Sequence, residues 1–204
     1  RGLGDVYKRQ PSPEKLEKLR QALESYESGD AGGQLVDANA EAAKAPVRSR
    51  ALGLLDQRAR SRKELRDRLV AADFEPDVVE DVVDDLAGVG LVDDETFAKE
   101  WVRQRHARRG KSARALNVEL KEKGVEAADR AAALEQITEE SEEAVARRVA
   151  EKKARTLKSV PADRHERDKF LRRIVGTLAR RGYRQELVMR ISIEVLDARI
   201  AELS

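Results

Sequence analysis

The chain has no cysteine. Neither a disulfide framework nor a thiolate metal site can be built from it, and a reducing cytoplasm is the simplest home to expect. It is also poor in aromatic residues, with one Trp, three Phe and three Tyr in 204 positions, and it has a single Met and five Pro. Stacking platforms for bases, which need several exposed rings, are therefore not in evidence. No apolar run approaches the roughly 18 residues of a membrane span, and no apolar stretch follows the first residues as a secretory signal would. A soluble protein is expected. Only two histidines occur, His106 and His165. They lie far apart, without a nucleophile at motif spacing, and both read as surface side chains. There is no glycine-rich phosphate loop, no histidine metal spacing and no nucleophile elbow, so no catalytic residue, metal or cofactor is assigned.

What remains is charge and aliphatic residues. Lys and Arg number 41 against 39 Asp and Glu, and 39% of the chain is charged. With 40% hydrophobic residues, this is the composition of helices. The net charge of +2 says little, but its distribution says more. From Asp73 to Glu95 there are ten acids and no Lys or Arg, whereas from Phe97 to Gly124 nine bases meet three acids. Such segregation favours oriented docking.

Residues 1–46 read as a mobile extension. Arg1–Gln10 has no periodicity and reads as a translated cloning or sequencing remnant. Ser12-Pro13 starts a short helix along Leu16, Leu19, Leu23 and Tyr26, which Gly29, Gly32 and Gly33 end. An Ala-rich connection then runs to Pro46.

Beyond Val47 the chain repeats itself. At an offset of about 51, Ser61 aligns with Ser112, Leu65 with Leu116, Leu69 with Leu120, Phe74 with Val125 and Leu86 with Ile137. A further offset of about 58 aligns Leu116 with Ile174, Leu120 with Leu178, Gly124 with Gly182 and Val125 with Tyr183. Each copy reads as helix, turn, helix, sharp turn, helix. Gly124 and Gly182 supply the left-handed residue at the sharp turn, and Asp73 replaces them in the first copy. The expected fold is all-α: tandem three-helix repeats over 47–92, 93–140 and 141–204, stacked in an elongated or crescent array and supporting one another. Leu65, Leu69, Phe74, Trp101, Leu116 and Leu120 are expected in their cores. Asp93-Asp94-Glu95 and Ser141-Glu142-Glu143 read as carboxylates at helix starts.

The acidic block could hold a hard cation through Asp84, Asp85, Asp93 and Asp94, but it lacks calcium-loop spacing and reads as capping and solvated face. Trp101 could stack on a base, but its spacing with Phe97 and Ala98 places it on an apolar stripe. The basic residues are the candidate contacts: Arg103, Arg105, Arg108, Arg109, Lys111, Arg114, Lys121 and Lys123 in the second copy, with Arg172 and Arg173 in the third. On a helical wheel Lys111, Arg114 and Lys121 point away from Leu116 and Leu120. A basic side recurring in successive copies would follow a phosphate backbone or an acidic protein groove, against the plain alternative of a solvated face.

Two stretches carry a family resemblance. Ala51-Leu52-Gly53-Leu54-Leu55 with Arg60-Ser61-Arg62-Lys63-Glu64-Leu65 is the first. Gly90-Leu91-Val92-Asp93-Asp94-Glu95-Thr96-Phe97-Ala98, continuing through Trp101-Val102 to Glu119-Leu120-Lys121-Glu122-Lys123-Gly124-Val125, is the second. From about Val47 to Leu196 the chain resembles the RecX family. That resemblance implies a non-catalytic regulator lying in the groove of the RecA–single-stranded DNA filament. It would oppose filament growth, ATP hydrolysis and strand exchange, as a monomer in the cytoplasm with DNA as a secondary contact. Two rival classes need no recombinase: a free-standing nucleic-acid-binding module acting through its basic faces, and an acid- or metal-dependent hydrolase resting only on the abundance of Asp and Glu.

Overall fold

The computed structural model describes residues 38–204 together with Arg20. The helix expected from Ser12 to Tyr26, with its glycine end, lies outside the described residues. Among the described residues every regular element is helical: α1 (Ala38–Gln57), α2 (Arg62–Val70), α3 (Pro76–Gly88), α4 (Asp94–Arg109), α5 (Ala113–Glu122), α6 (Ala127–Leu134), α7 (Glu139–Ala154), α8 (Arg164–Ala179) and α9 (Gln185–Leu203). They form three successive three-helix bundles, and in each bundle all three helices touch one another. The first bundle is one compact unit, ending at Asp93. The second and third share another, from Asp94 to Ser204.

Each bundle has its own core. Leu65 and Leu69 are buried with Val79, Val82, Val83 and Leu86 in the first. Leu116 and Leu120 are buried with Phe97, Val102 and Ala133 in the second. Ile174 and Leu178 are buried with Ile191 and Leu196 in the third. The aligned leucines and isoleucine are thus removed from water, whereas Phe74, expected in the core, and Ile137 are only half-buried against it, because each closes its bundle at the edge. At roughly 25 cal/mol per Å² of apolar surface, each such leucine contributes about 1.5–3 kcal/mol.

The repeat also extends to backbone detail. Ser61 and Ser112 have nearly the same conformation, φ −70° with ψ 158° and 159°. Each is buried, and each hydroxyl accepts the backbone N–H three residues on, from Glu64 and Ala115. These N-caps satisfy donors that a helix start leaves unpaired. At the sharp turns Asp73, Gly124 and Gly182 all have positive φ, at 63°, 78° and 86°. Asp73 does take the left-handed role its position implies.

Two boundaries differ from the sequence reading. The first helix begins at Ala38, so residues 38–46 belong to a packed element and not to the extension. Pro46 was expected to precede the helix but sits inside it. The helix continues through it because Val47, Ala51, Leu54 and Leu55 are buried in the first core, with Lys44 to Asp81 and Arg48 to Asp85, each at 3.2 Å, adding contacts to α3. The first helix of the third bundle begins at Glu139, not at Ser141. Thr138 is its cap, its hydroxyl accepting the N–H of Ser141 at 3.1 Å.

Candidate functional site

The acidic block is balanced within the first bundle. Asp81 and Asp85 face Lys44 and Arg48 from α1, while Asp84 pairs with Arg62 and Glu80 lies 3.8 Å from Arg62 on α2. These carboxylates lock helices together, and the cations that answer them come from outside the stretch in which the acids cluster. At the next helix start Asp94 and Glu95 occupy the first turn of α4, favourably placed against the helix dipole.

The basic stretch divides into two kinds of residue. Arg103 is exposed and bound by Glu100 through two hydrogen bonds of 2.8 Å. Lys111 pairs with Glu119, and Arg105 reaches the same carboxylate at 3.4 Å. The scarcity of acids in this stretch therefore misleads, because Glu119 alone engages two of its cations. Arg108, Arg109, Arg114 and Lys121 are exposed, and none has a carboxylate within ion-pair distance among the described residues. In the third bundle Arg172 is likewise exposed without such a partner, while the Arg173 guanidinium lies 4.9 Å from the centre of the Phe170 ring.

Trp101 stands at the rim and not in the core. Its ring is half-buried, with its centre 5.4 Å from that of Phe97. The Arg105 guanidinium lies 3.7 Å from its centroid and the Lys123 ammonium 4.4 Å, both within cation–π range. The indole N–H donates to Glu119 at 2.9 Å. Glu119 thus joins Trp101, Arg105 and Lys111 in one cluster. The apolar stripe continues from Phe97 to the indole and Arg105 follows one turn later on α4, but Glu119 and Lys123 come from α5 and its following turn, which spacing along α4 cannot show.

His106 also departs from expectation. It is half-buried, its Nδ1 lies 2.8 Å from the carbonyl oxygen of Lys111, and its Nε2 is buried without a hydrogen-bond partner among the described residues. The left-handed Gly110, φ 62°, turns the chain back over the last turn of α4 and brings that carbonyl to the ring. His165 is exposed, as expected.

Gly110 is also part of the joint between the second and third bundles, which sequence reasoning did not find. The Ser112 N–H donates to the Arg181 carbonyl at 3.0 Å, and the Tyr183 hydroxyl donates to the Gly110 carbonyl at 3.0 Å. Glu142 accepts the Ala113 N–H at 2.7 Å, and Arg181 donates to the Arg109 carbonyl at 3.2 Å. A side chain on Gly182 would meet the Ser112 hydroxyl and the Ala115 methyl at 2.7 Å each, so only glycine lets the turn sit this close. Burial holds the Tyr183 phenol above its ordinary pKa, helped by the nearby Glu142 carboxylate. The available signal was the recurrence of a left-handed residue followed by a large apolar one.

Two domain models match the chain: RecX, first three-helix domain, over residues 48–86, and RecX, second three-helix domain, over 93–134. The Regulatory protein RecX of Corynebacterium efficiens is 56% identical over 93% of this chain and 91% of its own length. The chain belongs to the RecX family. The Regulatory protein RecX of Streptomyces lividans, another family member, is 36% identical over 83% of this chain and 91% of its own length. A crystal structure of RecX from Lactobacillus salivarius shares the fold with a TM-score of 0.63 at 23% identity, covering 78% of this chain and 99% of that one. The RecX domain matches coincide with the first two bundles described above. No helix among the described residues is long and apolar enough to cross a membrane.

Proposed function

We propose that this RecX family member acts without catalysis of its own, by binding the RecA–single-stranded DNA filament and opposing its growth, its ATP hydrolysis and strand exchange. It would thereby modulate recombination and DNA repair in the cytoplasm, working as a monomer and touching DNA only secondarily. The observation that carries the reading is the group of exposed cations on the second RecX domain, Arg108, Arg109, Arg114 and Lys121, without carboxylate partners among the described residues. Arg172 extends the same character to the third bundle. Arg103, Arg105, Lys111, Lys123 and Arg173 serve in this reading as supports, since their interactions lie within the fold.

Unpaired surface cations steer a polyanionic assembly into an oriented encounter more than they add affinity. The decisive experiment is recombinase ATP hydrolysis on single-stranded DNA with this protein titrated in. Inhibition at amounts well below one molecule per recombinase subunit supports the filament reading. Loss of hydrolysis only at amounts that coat the DNA, with a steep dependence on salt, would instead point to a free-standing nucleic-acid-binding module.

A further inference from the structure

Along α5, Arg114, Val118 and Glu122 recur every four residues and line one open cleft of about 590 Å³. Its opposite wall is the third bundle's Ala179, Gly182 and Tyr183, fixed there by the joint described above. Val118 is 52% exposed, more than any other large apolar residue among those described. Arg114 and Glu122 have no oppositely charged partner among the described residues. Eight residues of helix separate them, or about 12 Å at 1.5 Å per residue. Lys111, Ala115 and Glu119 line the cleft too, Lys111 and Glu119 paired with each other, so the charges left unpaired are a cation and an anion in line, each one helical turn from the valine between them.

Neither water nor a phosphate chain is a good match for this pattern. The exposed valine costs free energy until something apolar covers it. A phosphodiester backbone would meet Glu122 as a like charge with no cation paired to it. Electrostatic complementarity at interfaces calls for the reverse order of charge on the partner. We infer that the cleft receives a helical protein segment carrying an acidic, an apolar and a basic residue at successive one-turn intervals, set against Arg114, Val118 and Glu122 respectively. The inference rests on the filament reading above, and it places this segment on the recombinase protein and not on its DNA.

The test uses the full chain, fluorescently labelled, and recombinase filaments preassembled on single-stranded DNA with a non-hydrolysable ATP analogue. Anisotropy would follow binding of the wild type and of Val118→Asp, Glu122→Arg and the exchange Arg114→Glu with Glu122→Arg. All three side chains are solvent-exposed, so circular dichroism and melting should match the wild type. Each variant should bind at least tenfold more weakly, including Glu122→Arg, although that change makes the protein more basic. Tighter binding by Glu122→Arg would overturn the inference in favour of nucleic acid at this cleft. Wild-type affinity in every variant would overturn it outright, while leaving the filament reading standing. Failure of the wild type to bind filaments would bring down the filament reading first, and the inference with it. Sedimentation of the wild type as a dimer that Val118→Asp splits would assign the cleft to a second copy of the chain and likewise overturn the inference.

Discussion

The hydroxyl of Tyr183 donates to the carbonyl oxygen of Gly110 across 73 residues of sequence, at 3.0 Å and out of contact with water. One bond of this kind contributes little net stability while made, but a buried acceptor left without its donor costs about 1–3 kcal/mol. Tyr183→Phe keeps the ring and removes only the donor. Its melting temperature should fall by roughly 4–8 °C for each kcal/mol lost in a unit of about 100 residues. An unchanged melting curve would mean that the joint does not depend on this bond.

Two glycines with positive φ should respond very differently to alanine. At Gly90, φ 73°, a new methyl group would meet nothing within 4 Å, so Gly90→Ala should cost only the left-handed backbone, about 1–2 kcal/mol. At Gly182, φ 86°, the methyl would also collide with Ser112 and Ala115. Chemical denaturation should rank Gly182→Ala well below Gly90→Ala in stability. Equal losses would show that the third bundle can slide away from α5 without cost.

The contrast marks what a single sequence makes legible. Leu65, Leu116 and Ile174 repeat because each bundle needs the same apolar plug, and a period in the sequence reports that need directly. Asp73, Gly124 and Gly182 repeat because each sharp turn needs the same left-handed residue. The partners of the charged residues obey no such period. Glu119 gathers Lys111 from the preceding loop, Arg105 from α4 and the indole of Trp101, a choice made by the packing of α4 on α5. Counting acids along the stretch therefore left Lys111 as a candidate contact, when its ammonium is already engaged. Pro46 misled for a related reason: local propensity says break, and the burial of Val47, Ala51, Leu54 and Leu55 against the rest of the first bundle overrides it.

Acid stability should carry the signature of one exposed carboxylate. Hydrogen bonds from Arg190 and then Arg147 hold Glu143 down from its ordinary 4.5 to about 2. A carboxyl depressed in the folded state adds stability that is fully present above its unfolded value and is lost as pH falls through the folded value. The contribution should therefore be intact near neutrality and disappear between about pH 4.5 and 2. Replacing Glu143 with Gln should flatten the dependence of stability on pH across that window. A wild-type profile in the variant would show that α7 and α9 do not use this pair.

Reversing charge should separate contact residues from supports. Arg108, Arg109 and Lys121 are exposed and without carboxylate partners among the described residues, so changing all three to Glu alters the surface charge by six units and disturbs no described ion pair. Folding should survive, and inhibition of recombinase ATP hydrolysis should weaken by an order of magnitude or more, since each 1.4 kcal/mol of lost binding is tenfold. Lys111→Glu is the opposite case, because it sets a second carboxylate against Glu119 beside Trp101. That variant should melt earlier and lose inhibition only in proportion to its unfolding. Trp101→Phe completes the comparison: it keeps a ring beside Phe97 but gives up the hydrogen bond to Glu119. It should lose some stability, less than the roughly 3–5 kcal/mol of truncating a fully buried ring, and keep its inhibition while folded. If the triple reversal inhibits as the wild type does, while Trp101→Phe stays folded and fails, the functional surface is the Trp101 cluster and the exposed cations are solvent decoration.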